Sequence, residues 1–196
     1  MIIYVGSEKG GVGKTTMTLM MGVYIKQNYD VTLKMIDTDI KQQSLFKLME
    51  LRKKNNLDYC DVSLGGDLSG VKKNELCLID GRANLQSEDS VFLNGCDLVL
   101  ILVSDSYLEI ENTKSFIKVL EKNNIPYKIL LNRIHDKKTI DTLKSEFKNV
   151  LNTVIGVSER YRKIEKNGET DLDNFNVYKW YTRRELENLL NELFNK

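Results

Sequence analysis

The sequence predicts an α/β protein with a doubly wound, mostly parallel sheet that carries helices on both faces. Short apolar runs alternate with amphipathic stretches to the end of the chain, which is typical of that class. A glycine-rich turn joins the first apolar run to the first amphipathic stretch, and two later apolar runs lead directly into aspartates. Since ligands of such sheets bind outside the carboxyl ends of strands, these features predict a ligand site at one edge of the sheet.

The composition limits the organisation of the chain. Its 196 residues are expected to form one domain, residues 1–196, and 41% hydrophobic residues is ordinary for a globular chain. The formal net charge of +1 excludes a strong global field that would draw the protein onto nucleic acid. Any DNA affinity must therefore come from a local patch.

Cysteine usage and the N-terminus predict a cytoplasmic protein. Cys60, Cys77 and Cys96 are far apart in sequence, so we interpret them as small core residues of a reducing compartment rather than disulfides or metal ligands. No charged leader precedes a long apolar stretch, and no apolar run is long enough to span a bilayer. We therefore expect neither a signal peptide nor a membrane segment.

The first strand is predicted at Met1–Val5 and the first helix from about Lys14 to Gln27. Between them lies Gly6–Thr16, which reads GSEKGGVGKTT. Its glycines let several backbone N–H groups point into one hollow, to which the helix N-terminus adds its positive end. This is a phosphate-binding turn, in which Lys14 reaches the terminal phosphates and the Thr15 hydroxyl ligates Mg²⁺.

The turn departs from the ordinary P-loop, because Glu8 replaces a glycine and a second lysine, Lys9, stands at its mouth. The segment Lys9–Thr16 resembles the deviant Walker A motif of the ParA/MinD family of ATPases. The resemblance implies a P-loop NTPase fold, ATP and Mg²⁺ as cofactors, and a Lys9 that crosses a dimer interface to contact the partner's nucleotide. The residues that it implies for ATP binding are Lys9, Gly10, Gly11, Val12, Gly13, Lys14, Thr15, Thr16 and, later in the chain, Asn132.

The second strand is predicted at Val31–Ile36 and delivers Asp37 and Asp39 to the edge that carries the P-loop. Such a pair of acids is also a common turn former, and that interpretation stays open for the pair by itself. The run resembles the family's second motif, D-x-D-P-Q, with Ile40 in place of proline. The resemblance implies that Asp39 orients or activates the attacking water and that Asp37 supports the Mg²⁺ shell.

The middle of the chain is predicted to contain a helix at about Lys41–Asn55, an edge strand at Asp58–Val62 and a buried strand at Leu76–Gly81. The last of these resembles Walker B, because four apolar residues precede Asp80, whose carboxylate would hold Mg²⁺ through a water. Arg82 follows, where the family usually has a small residue in its second switch. It either faces the partner subunit or the phosphates, or it is a solvated or interface-pairing charge with no catalytic part.

The clearest buried strand is predicted at Asp97–Val103, and Ser106-x-x-Glu109 has the pattern of a capping box for the helix after it. The strand Tyr127–Leu131 then ends at Asn132. The family has an asparagine here that binds the adenine edge, for which an amide is suited because it both donates and accepts. Asparagine is also a common strand terminator, so both interpretations stay open.

Later in the chain we predict a helix at Thr139–Phe147, a strand at Val150–Val157 and a basic segment capped by Ser158. The lone histidine, His135, is expected at the surface. The basic segment is either a solvated helix face with salt bridges or a contact to DNA phosphates. The residues that the resemblance to DNA-binding ParA dimers implies for that contact are Arg160, Arg162, Lys163, Lys166, Arg183 and Arg184.

The final helix is predicted to begin at the capping pattern Thr182-x-x-Glu185. Its apolar residues follow the three-four spacing of one stripe: Leu186, Leu189, Leu190, Leu193 and Phe194. MinD-like relatives end in a basic amphipathic membrane anchor, whereas acidic residues flank this stripe and an anionic membrane would repel them. We therefore expect the stripe to dock on the core, and we do not expect a membrane as partner.

The family motifs occur in family order over nearly the whole chain, which looks most similar to the short ParA-type partition ATPases, including the ParF group. The resemblance implies a nucleotide switch without the N-terminal DNA-reading domain of longer relatives. ATP would close a homodimer, or assemble a filament, that binds DNA non-specifically and a centromere-binding ParB-type partner. Hydrolysis to ADP and phosphate would reopen it, and the expected location is the nucleoid in the cytoplasm.

Three other functions stay open. One is a MinD-like ATPase that positions itself on a membrane. Another is a scaffold that binds ATP and polymerises with negligible turnover. The last, a metallocluster carrier of the nitrogenase iron protein type, needs paired cysteines, and the sequence has no C-x-x-C.

Overall fold

The computed structural model describes residues 1–83, 86–134, 136–156, 162–173 and 177–194. Strands and helices alternate along most of this part of the chain. The strands are β1 (Ile2–Gly6), β2 (Leu33–Asp37), β3 (Val62–Leu64), β4 (Leu76–Asp80), β5 (Leu98–Val103), β6 (Tyr127–Asn132) and β7 (Val150–Ile155). The helices are α1 (Lys14–Asn28), α2 (Ser44–Lys54), α3 (Ser90–Gly95), α4 (Tyr107–Lys122), α5 (Lys137–Glu146), α6 (Arg162–Asn167) and α7 (Val177–Phe194).

The seven described strands form one parallel sheet in the order β3-β2-β4-β1-β5-β6-β7. β1 lies between β4 and β5, with Val5 opposite both Asp80 and Leu100. β2 pairs with β4 so that Asp37 lies opposite Asp80. The order therefore brings the ends of β1, β2 and β4 together at one edge of the sheet, which is where α/β proteins bind ligands.

Side chains of the central strand alternate between two hydrophobic layers, as the period of a strand requires. Ile3 and Val5 pack in one layer with residues of α1, α2, α6 and α7. Tyr4 packs in the other layer with residues of α3, α4 and α5. The predicted α/β architecture, with helices on both faces of a parallel sheet, is confirmed.

Two element boundaries differ from the predictions. The edge strand lies at Val62–Leu64 rather than at 58–62, and α2 begins at Ser44 rather than at residue 41. The later start of α2 has a clear cause, because the Asp37 carboxylate accepts hydrogen bonds from the backbone N–H groups of Leu45 and Phe46 at 2.9 and 3.2 Å. These bonds fix the first turn of the helix, and Gln43 before it is left-handed with a φ of 56°.

Neither predicted capping box is present. α4 begins after Ser106 as predicted, but that side chain makes no capping hydrogen bond, and the Glu109 carboxylate instead accepts from the backbone N–H and the hydroxyl of Ser104. α7 begins at Val177, so Thr182 lies inside the helix, fully buried, with its hydroxyl 3.4 Å from Asp171 Oδ2. The prediction that Thr182 caps the last helix is wrong, because tertiary contacts satisfy its hydroxyl.

The stripe of α7 docks on the core as predicted, since Leu186, Leu189, Leu190 and Leu193 are all buried. Of the cysteines, Cys60 and Cys77 are buried and Cys96 is half-buried, and all three are free thiols. Within the described residues, no helix combines the length and hydropathy of a membrane span. The predictions for His135, Ser158 and Arg160 lie outside the described residues.

Candidate nucleotide-binding site

The glycine-rich turn joins β1 to α1 and exposes its backbone at the edge of the sheet. Gly11 and Gly13 have φ angles of 83° and 99°, a left-handed conformation that glycine adopts without steric cost. A Cβ on Gly13 would lie 2.8 Å from Nδ2 of Asn132, whereas a Cβ on Gly11 would meet nothing within 4 Å. The turn therefore needs glycine at position 13 for both conformation and space.

The side chain of Lys14 is folded inside this turn. It is only 7% exposed, and its Nζ donates a hydrogen bond to the carbonyl oxygen of Lys9 at 2.9 Å. Burial lowers the pKa of Lys14, and the negative charges of Asp80, Glu109 and Asp39 partly offset that effect. A buried ammonium beside exposed glycine backbone is suited to binding a phosphate, which would replace the carbonyl as its acceptor.

Lys9 has the opposite environment. Its side chain is exposed, and its backbone N–H donates to the Ser7 hydroxyl at 3.3 Å. Only its carbonyl turns inward, toward Nζ of Lys14. The backbone of Lys9 thus shapes the loop, while its ammonium makes no hydrogen bond or ion pair with the described residues.

Thr15 and Asp80 meet at the start of α1. The Thr15 hydroxyl donates to Asp80 Oδ2 at 2.7 Å, while Asp80 Oδ1 is buried without a hydrogen-bond partner among the described residues. Burial raises the pKa of Asp80 to about 7 in this state, against the effect of the Thr15 hydrogen bond. A hydroxyl and a carboxylate with one unused buried oxygen are ligands that suit Mg²⁺, so the residues fit the predicted metal.

The two acids after β2 have different surroundings. Asp37 is buried, and besides the bonds to α2 it accepts one from the backbone N–H of Asp39 at 3.0 Å. Its two oxygens therefore brace the loop from residue 37 to residue 46. Asp39 is half-buried at the cavity wall and accepts from the backbone N–H of Gln42 at 3.0 Å.

Asn132, at the end of β6, is buried beneath the turn. Its Nδ2 donates to the carbonyl oxygen of Val12 at 2.7 Å. The next residue, Arg133, has a left-handed φ of 62° and donates from Nη1 to the carbonyl oxygen of Gly11 at 2.5 Å. Both side chains therefore brace the backbone of the P-loop. Sequence reasoning missed Arg133, although a long donor directly after the predicted Asn132 was a usable signal.

An open cavity of about 520 Å³ lies in front of the turn. The predicted residues that line it are Gly10, Gly11, Gly13, Lys14, Thr15, Thr16 and Asp39. Arg82, for which a place facing the phosphates was one of the open alternatives, also lines it. The lining residues that had no predicted binding role are Gln42, Ser44, Lys47, Leu48, Gly81, Ala83 and Arg133. Asn132 instead lines a small adjoining pocket with Gly13, Thr16, Met17 and Arg133. Val12 is buried in the core.

Of the basic residues predicted to contact DNA, Lys166, Arg183 and Arg184 do not line this cavity. Lys166 on α6 is exposed, and Arg184 on α7 is exposed with its guanidinium 5.2 Å from the ring centre of Trp180. Arg183 donates to Oδ1 of Asn28, so part of its hydrogen-bonding capacity is used within the chain. The side chains of Arg162 and Lys163 are not among those that the structure describes.

Comparison with known proteins gives the family of this chain. Residues 3–171 match the CobQ/CobB/MinD/ParA nucleotide binding domain. This chain belongs to that family. The match covers both the P-loop and Asp80, so the predicted ParA/MinD relationship is confirmed, and the chain is a nucleotide-binding protein of the ParA/MinD ATPase type.

Solved structures of family members share the fold over almost the whole chain. MinD of Pyrococcus horikoshii complexed with Mg-ADP is 16% identical, with a TM-score of 0.77 over 99% of this chain and 97% of that one. MinD of Aquifex aeolicus is 19% identical, with a TM-score of 0.72 over 96% of both chains. A putative plasmid partition protein of Borrelia burgdorferi bound to AMPPNP is 20% identical, with a TM-score of 0.70 over 98% of this chain and 97% of that one.

One curated relative is similar over a shorter stretch. An uncharacterised protein of Methanocaldococcus jannaschii is 40% identical over 65 residues, which is 33% of this chain and 24% of that protein. The alignment therefore spans about a quarter of the relative's length. It adds no information on activity.

Proposed function

We propose that this protein is an ATP-dependent partition ATPase of the ParA type, with residues 1–196 acting as one ATPase domain. The observation that carries the proposal is the cavity that Lys14, Thr15 and the glycine-rich turn line, with the buried Asp80 bonded to the Thr15 hydroxyl. Support comes from the family and from two solved relatives of the same fold, one bound to AMPPNP and one complexed with Mg-ADP.

Each residue of the site has a defined part in this proposal. The backbone N–H groups of residues 10–16 and the ammonium of Lys14 bind the phosphates. Thr15, and Asp80 through a water, would hold Mg²⁺ with Asp37 supporting its shell, and the bound ion would neutralise charge on the phosphates. Asn132 reads the adenine edge from the small pocket that it lines with Gly13, Thr16, Met17 and Arg133.

Hydrolysis in this proposal depends on Asp39 and Lys9. Asp39 lies at the cavity wall, where its carboxylate can orient the attacking water. Lys9 is exposed at the mouth of the loop, so its ammonium can reach the nucleotide of a second copy. The positive charge offsets repulsion between two triphosphates across the dimer face, and ATP therefore closes a homodimer or extends a filament.

The ATP-bound assembly is proposed to bind DNA without sequence preference, through the basic residues of α6 and α7, and to recruit a ParB-type partner. Lysine and arginine suffice for such binding because the phosphate backbone supplies the affinity. A nucleoid-associated location follows from this activity. The acid-flanked stripe of α7 is buried, which favours DNA over a MinD-like membrane role.

The test is a mobility shift of non-specific duplex DNA with no nucleotide, ADP or ATP, each with Mg²⁺. We expect a shift with ATP alone, and phosphate release that DNA or the partner accelerates. Sedimentation with anionic liposomes in the presence of ATP, without a DNA shift, would support the MinD-like alternative. ATP-driven polymers with negligible phosphate release would support the scaffold.

A further inference from the structure

Arg82 occupies a place in the cavity wall that the proposed mechanism does not use. Its backbone N–H donates to the Thr38 hydroxyl at 3.0 Å, beside the loop that carries Asp39. The neighbouring Ala83 lies against the P-loop, since a Cβ on Gly10 would be 3.8 Å from that of Ala83. Arg82 thus stands between the phosphate-binding turn and the loop that follows β2.

The guanidinium of Arg82 has two kinds of partner. Its Nε donates to Oδ1 of Asp89 at 3.0 Å, and the Asp89 side chain is 0% exposed. Its Nη1 and Nη2 donate to Gln86 Oε1 at 2.9 Å and to Glu88 Oε2 at 3.0 Å. The Glu88 side chain is 71% exposed.

These partners differ in how easily they are exchanged. An exposed ion pair contributes little free energy, so Nη2 can leave Glu88 at small cost. Removal of the cation from a buried carboxylate is strongly unfavourable, so Nε remains on Asp89. Asp89 also accepts from the backbone N–H of Gln86 at 2.8 Å, which keeps its carboxylate in place. The anchor is therefore fixed while the two terminal nitrogens are exchangeable.

We propose that Arg82 senses the γ-phosphate of ATP: its Nη groups exchange Gln86 and Glu88 for γ-phosphate oxygens while Nε stays on Asp89. The planar fork of arginine matches phosphate oxygens in a bidentate manner. Arg82 then contacts the substrate, and Asp89 acts as the positioning residue. The exchange rests on the proposed ATP binding and makes the contacts of Arg82 with Gln86 and Glu88 respond to the third phosphate.

The proposal predicts that Arg82 discriminates ATP from ADP, because ADP has no γ-phosphate. Arg82→Ala should weaken binding of a non-hydrolysable ATP analogue by about tenfold or more, as expected for a lost charge-assisted hydrogen bond. ADP affinity should change by less than about twofold. Glu88→Gln should strengthen analogue binding relative to ADP, because the competing acceptor loses its charge.

The experiment is calorimetric titration of the full chain and its variants with the analogue and with ADP, both with Mg²⁺. Glu111→Gln is the matched control, since Glu111 is also an exposed glutamate paired with a cation, Lys114, but lies on α4. Folding of each variant is checked by its urea midpoint. If Arg82→Ala does not fold, Glu88→Gln still provides the test.

Two results would overturn the role of Arg82. If Arg82→Ala lost the same factor of affinity for the analogue and for ADP, Arg82 would be a structural brace only. If the ratio of analogue affinity to ADP affinity were the same in Glu88→Gln as in Glu111→Gln, the exchange would be excluded. Failure of the unmodified protein to bind either nucleotide would instead refute the proposed function.

Discussion

At the scale of single residues, the two lysines of the P-loop differ most in exposure. Lys14 is buried and bonded to the loop's own backbone, whereas the Lys9 side chain is exposed. A buried ammonium that already satisfies a carbonyl is positioned before the ligand arrives, and little side-chain entropy remains to be lost on binding. An exposed lysine has no such restriction and can pair with a group on another molecule.

Replacement of each lysine by alanine should separate the two roles. We expect Lys14→Ala to abolish nucleotide binding, because the phosphates lose their buried cation. Lys9→Ala should bind nucleotide like the unmodified chain and fail to dimerise or hydrolyse ATP. Calorimetry and light scattering with a non-hydrolysable analogue measure the two effects. Equal nucleotide-driven dimerisation of Lys9→Ala and the unmodified chain would remove the cross-subunit role of Lys9.

The two left-handed glycines of the turn provide a second test at this scale. Gly11→Ala should cost about 1 kcal/mol of unfolding free energy, from backbone strain alone. Gly13→Ala should cost about 1–3 kcal/mol more, because the new Cβ displaces Asn132 from the Val12 carbonyl. Urea unfolding without nucleotide measures both. Equal costs in the two variants would show that the Asn132 contact does not stabilise the turn.

At the scale of secondary structure elements, α2 is anchored at both ends. The Asp37 carboxylate holds its first turn. At its last turn, Arg52 is completely buried and donates to the carbonyl oxygens of Asp58 and Gly168, each at 2.6 Å. Its two terminal nitrogens also donate to the Asp173 carboxylate at 2.8 and 2.7 Å. The helix therefore links the loop beside the cavity to the turn after α6.

Loss of the buried ion pair should destabilise the fold strongly. We expect Arg52→Met to cost about 3–5 kcal/mol, because the Asp173 side chain is 4% exposed and would keep an unpaired charge. The double variant Arg52→Met/Asp173→Asn should recover part of that loss, since the amide carries no charge. Urea unfolding at neutral pH measures both variants. A double variant less stable than the single one would contradict this account.

The same pair predicts a pH dependence with a definite sign. Burial alone would raise the pKa of Asp173, but hydrogen bonds from Arg52 and Thr170 lower it below the ordinary value. The stabilising contribution is therefore complete above the unfolded-state pKa, about 3.9, and is lost as the pH falls below it. The stability gap between the unmodified chain and Arg52→Met should narrow at low pH. A gap that stays constant from pH 7 to pH 3 would refute the linkage.

At the scale of the whole molecule, the strand order determines which functional residues lie close together. With β1 between β4 and β5, and β2 beside β4, the P-loop, Asp37 and Asp80 meet at one edge. The exposed basic residues Lys166 and Arg184 do not line that cavity. Because the net charge is only +1, the proposed DNA binding depends on local charges rather than on the overall field of the protein.

Reversing the charge of a basic residue on α6 or α7 should therefore weaken DNA binding, whereas the same change elsewhere on the surface should not. We expect Lys166→Glu and Arg184→Glu each to reduce affinity for duplex DNA with ATP. Each should also lower the magnitude of the salt slope by about 0.9 if one phosphate contact is lost. The control is Lys118→Glu, an equal charge change at an exposed position of α4. Fluorescence anisotropy over a salt series measures the slopes, and equal weakening by the control would exclude a local patch.

The sequence by itself determined the parallel α/β sheet, the phosphate-binding turn and Asp80 at a strand end. These features are contiguous, so the alternation of apolar residues and the spacing of glycines encode them directly. It also indicated Asn132, because a strand end is a local feature. The capping pattern at Ser106 located the start of α4 but not the partners of its side chains, and the pattern at Thr182 was misleading because Thr182 lies inside α7.

Only the tertiary structure decided the partners of those residues. Asn132 and Arg133 bond to carbonyls 120 and 122 residues earlier in the chain. Arg52 bonds to an aspartate 121 residues later. The Asp37 carboxylate accepts a hydrogen bond from the first turn of α2. Arg82 pairs with the buried Asp89 and with the exposed Glu88. A side chain's partner depends on which strands the sheet places side by side, and no local pattern in the sequence records that order.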